Sequence, residues 1–165
     1  MNRSIRLLAA LTMIALPSVA GAQAITGSIG ASADIATVFS FGAPSALNFG
    51  SIPPGTAATG SGYIPLSRNV GVIYSLPDGA TTGNLVGPGG NLLPSYTCGV
   101  GTTSAAITSP FTNCNSAIAN QLTLGAPVGG LLTEYVIFNG SLAAGQTNIA
   151  PGTYVGTIRV TATPN

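Results

Sequence analysis

Residues 151–165 read PGTYVGTIRVTATPN, and this closing stretch decides the fold class. Tyr154, Gly156, Ile158, Val160 and Ala162 fall on one side of an extended chain. Thr153, Thr157, Arg159, Thr161 and Thr163 fall on the other, with Val155 the exception. Successive side chains of extended backbone point to opposite faces, so such alternation is the period-two signature of a half-buried strand. The β-branched residues suit a pleated surface, and Pro151-Gly152 marks a turn before it.

Working back from this strand, Glu134 to Phe138 (EYVIF) is a β-prone run followed by Asn139-Gly140, a pair that tolerates the positive φ of a tight hairpin. The pattern predicts a strand, a turn at Asn139-Gly140 and a short return over 141–144. Val70 to Leu76 predicts another strand, closed by Pro77-Asp78-Gly79. Tyr63 to Leu66 and Leu47 to Ile52 are shorter candidates, the second followed by Pro53-Pro54-Gly55. Residues 81–94, with GPGG at 87–90, and the Ser/Thr-rich residues 99–116 read as loops. With 23 Gly and 12 Pro in 165 residues, a long uninterrupted helix has no room. The expected fold is an all-β sandwich.

Residues 25–35 carry a second alternation, with Ile25, Gly27, Ile29, Ala31, Ala33 and Ile35 at every other position. Such a segment serves either as the first strand of its own sandwich or as a strand offered to another molecule, whose open sheet edge it completes.

Ahead of it, Arg3 and Arg6 precede the apolar run 7–16, Pro17 breaks that run, and Ala22-Gln23-Ala24 supplies small residues for cleavage. Residues 1–24 therefore read as a secretory signal peptide, since an apolar run of about ten residues falls short of the roughly 20 that span a bilayer as a helix. Cleavage after Ala24 leaves a single domain over 25–165; cleavage after Ala22 is the competitor. The expected destination is the periplasm, the cell surface or an extracellular fimbrium, with no membrane-spanning segment in the mature chain.

Export places Cys98 and Cys114, the only cysteines, in an oxidising compartment, where an even pair reads as a disulfide. Closing a loop of about 16 residues contributes roughly 3 kcal/mol in the loop-entropy picture. The bridge would tie down 99–116 as a surface insertion, or, on a functional reading, as a recognition loop.

Charge is nearly absent. After cleavage Arg68 and Arg159 face Asp34, Asp78 and Glu134, a formal charge of −1. There is no basic field for nucleic acid, and little repulsion to keep copies apart, which favours self-association. With no His, the common Ser-His and Cys-His nucleophiles and imidazole metal sites lack their residue. A carboxylate pair would need two of three acids brought together, and their spacing does not suggest it. Asp78 sits in a routine turn, Glu134 and Arg159 read as outward charges or cross-strand pairs, and GPGG is not followed by Lys-Ser/Thr as a phosphate loop would be. No catalytic, cofactor-binding or metal-ligating residue is expected.

ALNFGSIPPGT at 46–56 and NGSLAAGQTNIAPGTYVGTIRVTAT at 139–163 resemble the spore coat protein U and fimbrial, pilin-like families of secreted bacterial β-sandwich proteins. They are also similar to a further family of secreted proteobacterial proteins with an LNFG start and an AGTYxGTxxVT end. The resemblance implies an immunoglobulin-like domain and a subunit that self-assembles, or joins other surface subunits, by donor-strand exchange with a periplasmic chaperone and an outer-membrane usher. Ile25, Ile29, Ala31, Ala33 and Ile35 would then be donor-strand positions, and Tyr154, Ile158 and Val160 would line the acceptor core. Two features depart from the pilin pattern: the cysteines lie mid-chain, and Thr163-Pro164-Asn165 stands where an aromatic is common. The alternative from the residues alone is a monomeric secreted module that recognises a carbohydrate or surface ligand through its five tyrosines and Asn-rich turns.

Overall fold

A computed structural model describes residues 30, 32–76, 84–114, 121–146 and 149–165. The expected export signal, the expected donor positions Ile25, Ile29 and Ala31, and the expected Pro77-Asp78-Gly79 turn lie outside the described residues. The chain divides into two compact units, residues 1–34 and 35–165. In the first, the described residues are exposed and carry no strand. The described strands belong to the second.

Among the described residues there are ten strands and no helix: β1 (Phe39–Phe41), β2 (Ala58–Arg68), β3 (Val72–Ser75), β4 (Leu85–Gly87), β5 (Gly90–Leu92), β6 (Ser95–Gly101), β7 (Ser109–Pro110), β8 (Gln121–Leu124), β9 (Leu132–Leu142) and β10 (Thr161–Pro164). They form a five-stranded sheet in the order β1-β2-β9-β6-β7, a three-stranded sheet β10-β3-β8 and the hairpin β4-β5. All pairings are antiparallel. The chain passes from the first sheet to the second between β2 and β3, so these two strands, adjacent in sequence, lie in different sheets.

The two sheets share one core. Even-numbered residues of β2, β9 and β6, among them Leu66, Val136, Phe138, Cys98 and Val100, meet Val72, Tyr74, Leu122 and Leu124 of β3 and β8. Each large apolar side chain taken out of water in this way contributes about 1.5–3 kcal/mol. The β2–β9 ladder is the longest, with eleven residues paired from Ala58↔Leu142 to Arg68↔Leu132.

Four sequence expectations change here, the first being that the candidate strand Leu47 to Ile52 carries no ladder pairing. Asn139-Gly140 is not a turn: β9 runs straight through it, with Gly140 opposite Gly60 on one side and Tyr96 on the other. A Cβ on Gly140 would lie 2.6 Å from the Phe49 ring and 3.1 Å from that of Tyr96, so glycine is required there for close packing rather than for a turn. The expected loop 81–94 contains the β4-β5 hairpin, turned at Pro88-Gly89, where Gly89 has φ 83°. The expected loop 99–116 begins as part of β6, and Phe111 is buried with its ring edge-on to Tyr74 at 6.5 Å between centroids. Cys98 and Cys114 form the expected disulfide, with Cα atoms 5.8 Å apart and both residues buried in the core. The bridge and Phe111 thus anchor this excursion from the inside.

The closing stretch is a subtler case. Ladder pairing is confined to Thr161–Pro164 against Val72–Ser75, with one isolated bridge from Val155 to Val86. Yet Ile158, Val160 and Ala162 are half-buried and pack on the core, while Thr157, Arg159 and Thr161 are exposed. The alternation reported which side chains are buried; it did not report how much of the backbone is paired.

Candidate functional site

Two features of unit 35–165 are candidates: a buried charge cluster and an apolar cleft. The cluster follows from register. Glu134 of β9 stands opposite Leu66 of β2, so Arg68, two residues along the same face, is its diagonal neighbour. Arg68 and Glu134 are 2% and 3% exposed, which makes theirs a fully interior ion pair. Arg68 Nε donates to Glu134 Oε1 at 2.5 Å and Nη2 donates to Oε2 at 3.0 Å, a two-pronged contact. Arg68 Nη1 donates to the carbonyls of Val70 and Gly125, each at 2.7 Å, and Tyr74 of the second sheet donates its hydroxyl to Glu134 Oε1.

Burial acts to pull the Arg68 guanidinium down, but the hydrogen bonds and charge of Glu134, with a smaller contribution from Tyr74, outweigh it and raise it above its ordinary value. Burial, then the hydrogen bond to Glu134, pushes the Tyr74 phenol well above its ordinary range. Arg68 therefore stays charged and Tyr74 stays neutral and donating. With its charges matched and held away from solvent, the cluster ties the two sheets together and presents no reactive atom to a substrate.

The cleft is lined by Leu47, Ile64, Leu85, Phe138 and Ile158, with Tyr96 at one wall, and encloses about 260 Å³. It exists because the chain before β2 bends across the sheet. β1 continues along the edge of β2 through Gly42 and the Ser45↔Tyr63 bridge, and then residues 45–47 pass close over Gly62. A Cβ on Gly62 would sit 2.6 Å from the Leu47 nitrogen, so only glycine admits this crossing. Across the cleft run residues 156–158, held nearby by the paired hydrogen bonds between Val155 and Val86 at 2.8 and 3.1 Å. Burial pushes the Tyr96 phenol up to about 12. The cleft offers apolar walls beside extended backbone, an arrangement that receives apolar side chains and has no group for acid–base work.

The residues singled out from sequence are distributed as follows. Ile158 lines the cleft and Val160 packs on the core beside it. Tyr154 stands apart, its hydroxyl within donating distance of the carbonyls of Pro88 and Ala150. Ala33 is exposed and without strand structure, and Ile35 is 88% exposed. Of the tyrosines, Tyr74 and Tyr96 are buried, while Tyr63 and Tyr135 are half-buried in an edge-on pair at 5.4 Å. Among the described residues, no three His, Cys, Asp or Glu side chains gather to hold a metal ion. Glu134, read as an outward charge or a cross-strand pair, is a cross-strand pair pointing inward. Parity carried that signal: Glu134 shares its face of β9 with Val136 and Phe138, as Arg68 shares its face of β2 with Leu66.

No family model, no curated protein and no solved structure matches this chain.

Proposed function

We propose that this chain is an exported structural or adhesive surface subunit, an immunoglobulin-like sandwich that assembles in the manner of a pilus by donor-strand complementation. The observation that carries the reading is the apolar cleft of about 260 Å³ bordered by residues 156–158, where ladder pairing of the C-terminal stretch is limited to its last residues. An extended donor with apolar residues at every second position suits such a cleft, and residues 25–35 have that pattern. Low charge supports close packing of copies, and the buried disulfide suits an oxidising compartment.

Deleting residues 25–35 from the mature chain tests the reading, with particle size followed by chromatography and electron microscopy. Polymers from the parent chain and folded monomers from the deletion are the expected pair of results. A parent that stays monomeric at every concentration, or a deletion that unfolds the domain, overturns it.

A further inference from the structure

The outward face of β2, β9 and β6 carries a second site, independent of any assembly through the cleft. Register aligns two ranks of small polar side chains across the three strands. Thr59, Ser141 and Ser95 form one; Ser61, Asn139 and Thr97 form the next. All six are exposed. They line a shallow, open depression of about 740 Å³ with Asn48 at its rim. Neighbouring strands lie about 4.8 Å apart and alternate residues about 6.7 Å apart, so the six side chains form a grid of closely spaced donors and acceptors.

The chemistry of the grid selects its ligand. Five hydroxyls and one carboxamide together supply both donors and acceptors, and none carries charge. Arg68 and Glu134, the nearest thing to a strong field on these strands, are spent on each other in the core. A phosphate, sulfate or carboxylate would find no cation in the lining, and an apolar ligand would strand the hydroxyls without partners. A neutral polyol matches both requirements, because every ring hydroxyl can replace a water while keeping both of its hydrogen-bonding roles. The Ser95 hydroxyl already donates to the Ser141 carbonyl at 3.3 Å, which leaves its oxygen lone pairs as acceptors toward the depression.

We infer that this face binds a neutral glycan, a short run of uncharged hexose units laid across β2, β9 and β6, with Asn139 at the centre of the second rank. Asn139-Gly140 is thereby given a role as part of a binding strand, where the dipeptide itself suggested a turn.

The test titrates the full mature chain with cellotetraose, maltotetraose, laminaritetraose and mannotetraose, and with polygalacturonate and hyaluronan as charged counterparts, following the amide resonances of β2, β6 and β9. At least one neutral tetraose is expected to saturate the face below about 10 mM, the weak end of specific recognition. Asn139→Ala and Thr97→Ala are each expected to weaken it about fivefold to tenfold, the loss of one or two hydrogen bonds. Thr133→Ala, on the same face of β9 but outside the depression, is expected to leave it unchanged. Both test residues are exposed, and an unchanged thermal midpoint shows that the fold survives. Binding by none of the neutral sugars, equal binding by the charged polymers, or binding indifferent to Asn139 and Thr97 overturns the inference. So does a change in oligomer size that these substitutions abolish without any sugar binding, which would make the face a contact between copies.

Discussion

The β2–β9 ladder and the closing stretch 153–164 make an instructive pair. In sequence the second is the clearer strand, with a long alternation, while β2 is broken by Gly60, Gly62 and Pro65 and β9 by Asn139-Gly140. In the structure the order reverses: β2 and β9 pair over eleven residues, and the closing stretch pairs over four. Alternation records which side chains find an apolar neighbour. Backbone pairing depends on whether a second strand is delivered alongside, and a glycine-rich strand is readily paired when tertiary packing fills the space its side chains leave.

The comparison breaks most visibly at Glu134. Replacing it with Ala leaves Arg68 charged and alone in the core, and the expected loss is about 3–5 kcal/mol in urea denaturation with the disulfide intact. The pair Arg68→Met with Glu134→Leu is expected to cost much less, since the penalty lies in the orphaned charge. A small effect of Glu134→Ala alone would show that water reaches Arg68 and that the ladder is looser than its register implies.

Alkaline pH gives the next effect. Tyr96 of β6 and Tyr74 of β3 both have phenols held above their unfolded value of 10.0. A raised phenol contributes stability that is complete below the unfolded value and is lost as pH climbs toward the folded one. Between pH 10 and about 12, Tyr96 alone is expected to remove about 3 kcal/mol, at roughly 1.4 kcal/mol per pH unit. Stability measured across that window should fall, and Tyr96→Phe should flatten the slope; an unchanged slope would mean that the Tyr96 hydroxyl is not held in the core as described.

The smallest effect is expected in the closing stretch. Ile158→Ala removes a half-buried side chain and is expected to cost about 1–2 kcal/mol, below the usual range for a fully buried position. Amide exchange sharpens the contrast: β2 and β9 should exchange near the global unfolding rate, and residues 156–160 faster. Equal protection of the two regions would erase the difference between them.

Much of the fold was legible. The β class followed from alternation and from the density of Gly and Pro, and the disulfide followed from there being two cysteines and one way to join them. The β4-β5 hairpin was missed because the GPGG run at its turn dominates the local reading, and the continuation of β6 because Gly99 and Gly101 are held by distant partners, Ile137 and Tyr135 of β9. The cleft was half legible: Ile158 stood out in the closing alternation, but Ile64, Leu85 and Phe138 come from three strands that no local pattern joins to it. The polar grid was invisible: Asn139 read as part of a turn, and the other five residues join it only when register places them side by side.

By itself, then, the order of residues determined that this chain builds sheets, that it carries almost no charge, and which sulfurs bond. Tertiary structure alone decided that Arg68 and Glu134, 66 residues apart, meet inside the core, and that Ser, Thr and Asn side chains from three strands line up on one face. The physical reason is register. Local chemistry sets the period of a strand, but a shift of one residue against its neighbour exchanges its two faces, and only the packing of the whole core against both sheets selects one alignment.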